Sequence, residues 1–267
     1  MSDLVLIERE DGIMTVTLNQ PEKRNPISSI EMVDALCAAI EAADADMSVR
    51  CVILTGAGTA FSSGGDVKGM KAGGGGTRAP APADTRRNYK WGIQRLPLLF
   101  QSIEVPVIAA VNGPAIGAGC DLTCMCDIRI AAESAKFAES FVKLGIIPGD
   151  GGAWLLPRVI GFSKATELAL TGEMIDAAEA LRIGLVSWVV PDGELMKEAR
   201  VVAEKIAANP PHATRMTKRL LREGQMAGLA TILEMSAAMQ SVAHTTADHD
   251  EAIDAFIERR PPMFKGG

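Results

Sequence analysis

The chain has 267 residues, 48% of them hydrophobic, and a net charge of −6. That length accommodates one large domain, or one domain with a smaller appendage, and the apolar fraction is ample for a core. The acidic balance, with a pI of about 5.2, argues against non-specific nucleic-acid binding, which requires a basic face. The start, MSDLVLIERE, has neither a basic opening nor a long apolar run and does not read as a signal peptide. The most apolar stretch, 105–126, is broken by Pro106, Asn112, Pro114 and Asp121, so a membrane span of about 20 apolar residues is not expected. Five cysteines without a secretion signal fit free thiols in a reducing cytoplasm.

Residues 4–8 and 13–18 predict a strand pair joined at Asp11-Gly12. Ser28-x-x-Glu31 is a capping box, and the helix it opens spaces Ile30, Val33, Leu36, Cys37 and Ile40 at a helical period. Residues 49–55 predict a buried strand ended by Gly56 and Gly58. A loop of small residues follows, Ala60-Phe61-Ser62-Ser63-Gly64-Gly65-Asp66. Residues 72–84, rich in Gly and Pro, read as a mobile surface insert. Residues 86–102 predict a helix, and 107–111 and 127–131 buried strands.

The stretch 112–152 carries the most chemistry. Gly113, Gly117 and Gly119 lie just after the apolar run 107–111, and Asp121 follows within two residues. Glycines let a backbone approach a ligand closely. A strand that breaks there and restarts as a helix leaves unpaired N–H groups at the helix start, suited to an anion or a developing oxyanion. An adjacent acid can move protons. The order GxxxGxG is not a dinucleotide fingerprint, and no Gly-Lys-Ser/Thr ending marks a P-loop. Cys120, Cys124 and Cys126 have no histidine near them in sequence and fit an apolar core better than a metal cluster, so no metal is expected.

The first 190 residues alternate strands and helices, an α/β pattern. Residues 194–259 predict only helices, with breaks at Asn209-Pro210-Pro211 and near Gly228. This divides the chain into a core at 1–193 and a helical region at 194–267. Met226, Leu229, Ile232, Leu233, Met235, Met239 and Val242 form an apolar set that must pack on something, and a neighbouring subunit fits. His244 and His249 read as a polar helix junction.

In family order, the motifs resemble the crotonase superfamily, the enoyl-CoA hydratases and isomerases, over nearly the whole chain. They run from Asn19-Gln20-Pro21-Glu22-Lys23-Arg24-Asn25 through Ala60–Asp66, Ala110-Val111-Asn112-Gly113, Gly117-Ala118-Gly119-Cys120-Asp121-Leu122 and Gly151-Gly152 to Leu170-Thr171-Gly172, Gly184-Leu185-Val186 and Phe264-Lys265-Gly266. The resemblance implies a spiral of β-β-α repeats with a C-terminal helical trimerisation region, assembled as a homotrimer or as a hexamer of paired trimers. It implies an acyl-CoA substrate, with coenzyme A part of that substrate and no separate cofactor, and neither a nucleic acid nor a membrane as partner.

It also implies roles. The oxyanion donors are the backbone N–H groups of Ser62 and Ala118. Asp121 stands where many family hydratases carry a glutamate. The second family glutamate falls on Phe141, which cannot transfer a proton. Glu139 lies two positions earlier and is expected on another face of an extended segment. Asp150, one residue past the acidic position of some isomerases and dehalogenases, offers a substitute, with helix N-capping as its alternative. Lys23, Arg24 and Lys265 are candidates for the CoA phosphates, Asp66 and Val67 for the adenine region through their backbone, and Ala60 for CoA binding. Hydration of a 2-enoyl-CoA is the leading reaction. Double-bond isomerisation with a single carboxylate, or CoA binding without chemistry, are the alternatives.

Overall fold

In the computed structural model, which describes residues 3–67, 69–70 and 77–266, two sheets and a set of helices build one α/β body. Its strands and helices are β1 (Val5–Glu10), β2 (Ile13–Leu18), α1 (Ile30–Ala45), β3 (Cys51–Gly56), α2 (Pro82–Trp91), α3 (Arg95–Ser102), β4 (Val107–Val111), β5 (Ala115–Ile116), α4 (Ala118–Met125), β6 (Ile128–Ala132), β7 (Lys136–Ala138), α5 (Gly152–Ile160), α6 (Phe162–Thr171), β8 (Met174–Asp176), α7 (Ala177–Arg182), β9 (Trp188–Val190), α8 (Leu195–Ala207), α9 (Pro211–Glu223), α10 (Leu229–Ala243) and α11 (Ala247–Glu258).

The main sheet runs β1-β2-β3-β4-β6-β9, antiparallel at β1/β2 and parallel thereafter. The small sheet runs β5-β7-β8. β3 and β4 are buried at every residue because helices cover both faces, which is why their sequences are continuous apolar runs rather than alternating ones. One face packs on α1, α3 and α4 through Leu36, Ile40, Leu96 and Leu122. The other packs on α8 through Leu195, Ala199, Val202 and Ala203. The boundary read at residue 194 therefore falls at the start of the helix that forms the sheet's second layer.

Several predicted details shift. The cap of α1 is Ser29, whose Oγ accepts the Met32 N–H at 3.2 Å. Ser28 Oγ instead accepts the Asp66 N–H at 3.1 Å, joining two loops. The helix expected at 86–102 is two helices, broken at Gly92. Of the segment read as an insert at 72–84, residues 72–76 lie outside the described residues and 82–84 already belong to α2. All five cysteines are buried free thiols. His244 Nδ1 and His249 Nε2 meet at 2.9 Å at the α10/α11 junction. No helix among the described residues is long and apolar enough to cross a membrane.

Candidate active site

Three loops meet beyond the carboxyl ends of β2, β3 and β4. The 20–26 loop is braced by Asn25, fully buried, whose Oδ1 accepts the Gln20 N–H and whose Nδ2 donates to Ala57 O and Ala60 O at 2.9 and 2.8 Å. Ser62 Oγ donates to Asn25 O at 2.7 Å, and Pro26 bridges Gly64, so the 62–66 loop lies along the first. The third loop joins β4 to α4. It fits against the second because Gly119 has no side chain: a Cβ there would lie 2.3 Å from Ser62 O.

The N–H groups of the 62–66 loop can be followed one by one. Ser62 donates to Pro114 O at 3.1 Å, Ser63 to Arg24 O at 2.7 Å, Gly64 to Ser62 Oγ at 3.1 Å and Asp66 to Ser28 Oγ. Ser62 therefore does not fit the expected oxyanion role, because its N–H is engaged in a bridge to the β4–β5 connection. Gly65 has no acceptor among the described residues, and neither does Ala118, the first residue of α4. The two loops are in contact at this point, since a Cβ on Gly64 would come to 2.9 Å from the Ala118 nitrogen. Gly65 and Ala118 are thus the free donor pair. Gly117, at φ +53, makes the turn that aims the Ala118 N–H outward. Gly65 follows the positive-φ Gly64, but only the hydrogen bonds of its neighbours single it out.

Three carboxylates converge beside this pair. Asp121, in the first turn of α4, has no exposed surface. Glu139 and Asp150 are each 2% exposed. Neither oxygen of Asp121, neither oxygen of Glu139, nor Oδ1 of Asp150 has a hydrogen-bond partner among the described residues. Asp121 feels the negative charges of both other acids, and any hydrogen bond formed between two of them requires a proton on one. Burial is the main cause that lifts Asp121 far above the ordinary carboxylate range, with the negative charges of Asp150 and Glu139 adding to it. Burial likewise lifts Asp150, and lifts Glu139 to about 7.

Glu139 was expected to face elsewhere. β7 ends at Ala138, and Glu139 takes a non-extended conformation (φ −88, ψ 66) at the head of the 3-10 turn Ser140–Leu144, so strand alternation no longer governs it. Asp150 does not cap α5; the N-cap is Gly151. Gly152 makes room for the cluster: a Cβ there would lie 2.1 Å from Asp121 Oδ1. Phe141 is buried against Gly117, its Cζ 3.5 Å from where a Cβ would stand, and supplies an apolar wall.

Among the CoA candidates, Lys23, Arg24, Ala60, Asp66 and Val67 sit on the two paired loops, with Val67 exposed. Lys265 does not join them. The tail is tied at the opposite end of the sheet, where Arg50 donates to Phe264 O and Asp248 accepts the Lys265 and Gly266 N–H groups. Arg50 itself pairs with Gly12, just before β2, whereas the Lys23 loop follows β2's last residue, roughly 17 Å further along the strand.

Comparison with known proteins agrees with this architecture. The Enoyl-CoA hydratase/isomerase family profile matches residues 8–267. A short-chain-enoyl-CoA hydratase of Clostridium acetobutylicum is 39% identical over 265 residues, covering 96% of this chain and 95% of that one. A 1,2-epoxyphenylacetyl-CoA isomerase of Escherichia coli is 37% identical over 266 residues, covering all of both chains. The crystal structure of an enoyl-CoA hydratase from Bacillus anthracis superposes with a TM-score of 0.92 at 35% identity, covering 99% of this chain and 100% of that one. The chain belongs to the enoyl-CoA hydratase/isomerase family of the crotonase superfamily.

Proposed function

We propose that the protein hydrates a 2-enoyl-CoA to the 3-hydroxyacyl-CoA, holding the thioester oxygen on the N–H groups of Gly65 and Ala118. The observation that carries this reading is the buried acid trio set beside two unengaged donors. As water adds to C3, negative charge passes to the thioester oxygen, and two preorganised N–H groups stabilise it where water is excluded. An ionised member of the trio takes the proton from the attacking water, and a protonated member delivers one to C2. Asp121 touches both partners and is the shared element; Asp150 supplies the second carboxyl that Phe141 does not. Burial raises all three acids, and Glu139, lifted to about 7, is available in both protonation states near neutral pH.

One observation favours a second reading, isomerisation. The buried carboxyl oxygens of Asp121 and Glu139 have no hydrogen-bond partner among the described residues, so one group can take a proton from C2 of a 3-enoyl-CoA and return it at C4 without any water, and Phe141 makes that side of the site apolar. Following conjugated enoyl absorbance with crotonyl-CoA and with a 3-enoyl-CoA decides. Loss with crotonyl-CoA supports hydration; gain with the 3-enoyl-CoA alone supports isomerisation. CoA binding with silence on both substrates points to a binder without chemistry.

The paired loops carrying Lys23, Arg24, Ala60, Asp66 and Val67 are the proposed seat of the CoA moiety, and the reaction asks for no further cofactor. α10 has no buried residue, and Leu229, Leu233, Val242 and Phe256 are exposed on the terminal helices, which supports a homotrimer or a hexamer of trimers. Sedimentation equilibrium checks it, and a monomer at micromolar concentration counts against it. Five free thiols support a cytoplasmic setting.

A further inference from the structure

A cavity of about 680 Å³ opens next to the acid trio. Gly149, which precedes Asp150, lies in its wall; Gln94 Nε2 donates to Gly149 O at 2.7 Å, and the Tyr89 ring stands so close that a Cβ on Gly149 would meet Cε1 at 2.7 Å. Met70, on the opposite side, packs on the donor loop, its Cε 2.6 Å from where a Cβ on Gly65 would stand. Through Met70 and Gly149 the cavity adjoins the loops that carry Gly65 and Asp150, a place open to an acyl chain.

Its lining joins apolar Met70, Leu144, Ile146 and Ile147 with Arg78, Arg86 and Lys90, and no carboxylate lines it among the described residues. Arg86, Tyr89 and Lys90 share one face of α2 by their spacing. Arg78 is held beside them, since Thr85 Oγ1 bonds both N–H and C=O of Ala79, and Asn88 Nδ2 donates to Thr77 O. None of the three cations has an ion pair among the described residues, although Arg87 on the same helix pairs with Asp84. All three are exposed, and Lys90 Nζ also lies 5.8 Å from the centre of the Trp91 ring, so together they set a positive field over the cavity that favours an anion.

We propose that the preferred substrate is an acyl-CoA whose acyl chain ends in a carboxylate, received by Arg86 and Lys90 with Arg78 beside them. The inference rests on the acyl-CoA reading above and adds the substrate's far end. The chemistry they receive is an anion, and the CoA phosphates are its other source.

Calorimetric titration with hexanoyl-CoA, adipyl-CoA and free CoA separates these. The saturated thioesters have no double bond to hydrate, so binding is read alone. Adipyl-CoA is expected to bind about tenfold tighter than hexanoyl-CoA, and R86A/K90A to bring that ratio to about one. Equal affinities in the unaltered protein overturn the inference. Loss of free-CoA affinity in the variant with the ratio unchanged assigns the cations to the phosphates and overturns it too. Arg78→Ala, at an exposed position, gives a smaller drop in the ratio if the inference holds and none if it fails. Crotonyl-CoA turnover keeps the two readings apart. Turnover without a carboxylate preference sinks this inference alone, whereas no thioester binding and no turnover sink both.

Discussion

Asp121 and Asp127 stand at the two ends of α4, and the fold treats them in opposite ways. Asp127 receives Lys218 Nζ at 2.8 Å, Arg222 Nη2 at 2.7 Å and the Val107 N–H at 2.8 Å. Burial acts to raise its pKa, but the two cations outweigh that and hold it below the usual range. Asp121, more deeply buried, receives no cation and no N–H. The first arrangement ties α9 to the start of β4 and is structural. The second leaves three buried acids without a cation or N–H partner for Asp121 and Glu139 among the described residues, which no stability argument favours. A buried acid without partners is intelligible where its proton is needed, and perturbed carboxyls in a cavity are a mark of catalytic sites.

The largest effect should come from Asp121→Asn. An amide cannot exchange the proton, so kcat is expected to fall by about a thousandfold on the proposed enoyl-CoA reaction. Stability should not fall, because an uncharged group replaces an unpaired buried one. A variant that keeps near-normal turnover, or that unfolds, would erase the distinction from Asp127. Lys218→Met is the mirror image. It leaves Arg222 as the one cation on Asp127 and Val105 O without its 2.6 Å donor, so a loss of about 3 kcal/mol or more is expected with kcat of the folded fraction retained. Chemical denaturation alongside turnover reads both quantities.

Much of this contrast was legible in the chain, and the limits have physical causes. The strand and helix order followed from apolar runs and glycine breaks, Asp121 from the glycines beside it, and Ala118 from the resemblance to the family. Ser62 was misread because sequence shows which loop is tight but not which N–H is already engaged; only the bridge to Pro114 O reveals that. Glu139 and Phe141 are two positions apart and would share a face in an extended segment, so strand parity gives no ground for placing Glu139 elsewhere; β7 in any case stops at Ala138. The Ser28 capping box matched in type but not in register, because its hydroxyl serves a tertiary contact to Asp66. The cationic wall of the cavity needed the third dimension, since Arg78 and Arg86 come together only through the Thr85 and Asn88 bonds.

Glu139→Gln sharpens the comparison through pH. The folded chain holds the Glu139 proton up to about 7, whereas an unfolded chain releases it near 4.5. Between those values the folded state binds more protons, so stability falls as pH rises through the window and the contribution is complete only below it. Glutamine removes that loss. The variant should melt at the same temperature as the parent at pH 4, and higher at pH 8, with the gain reaching at most about 3 kcal/mol. A gain independent of pH would mean that Glu139 is not desolvated. The opposite trend, a variant relatively weaker at high pH, would place a cation near it and remove the contrast with Asp127.

Gly152→Ala tests position rather than charge, and its effect should be the smallest. Every acid remains, but a methyl group would overlap the Asp121 carboxylate at 2.1 Å from Oδ1. The residue sits at the start of α5 without a positive φ, so alanine fits the backbone and the helix is not expected to weaken. The carboxylate must therefore swing by about an ångström, a displacement that reduces turnover by roughly 10- to 100-fold when the group acts on a reacting centre. KM should change little, because Gly65, Ala118 and the CoA loops are untouched. If kcat is unchanged while stability drops, the pocket for Asp121 is a packing feature and the acid belongs with Asp127. If kcat falls with stability intact, the glycine is there to seat a carboxylate, and Asp121 is defined by where it must stand as much as by the proton it carries.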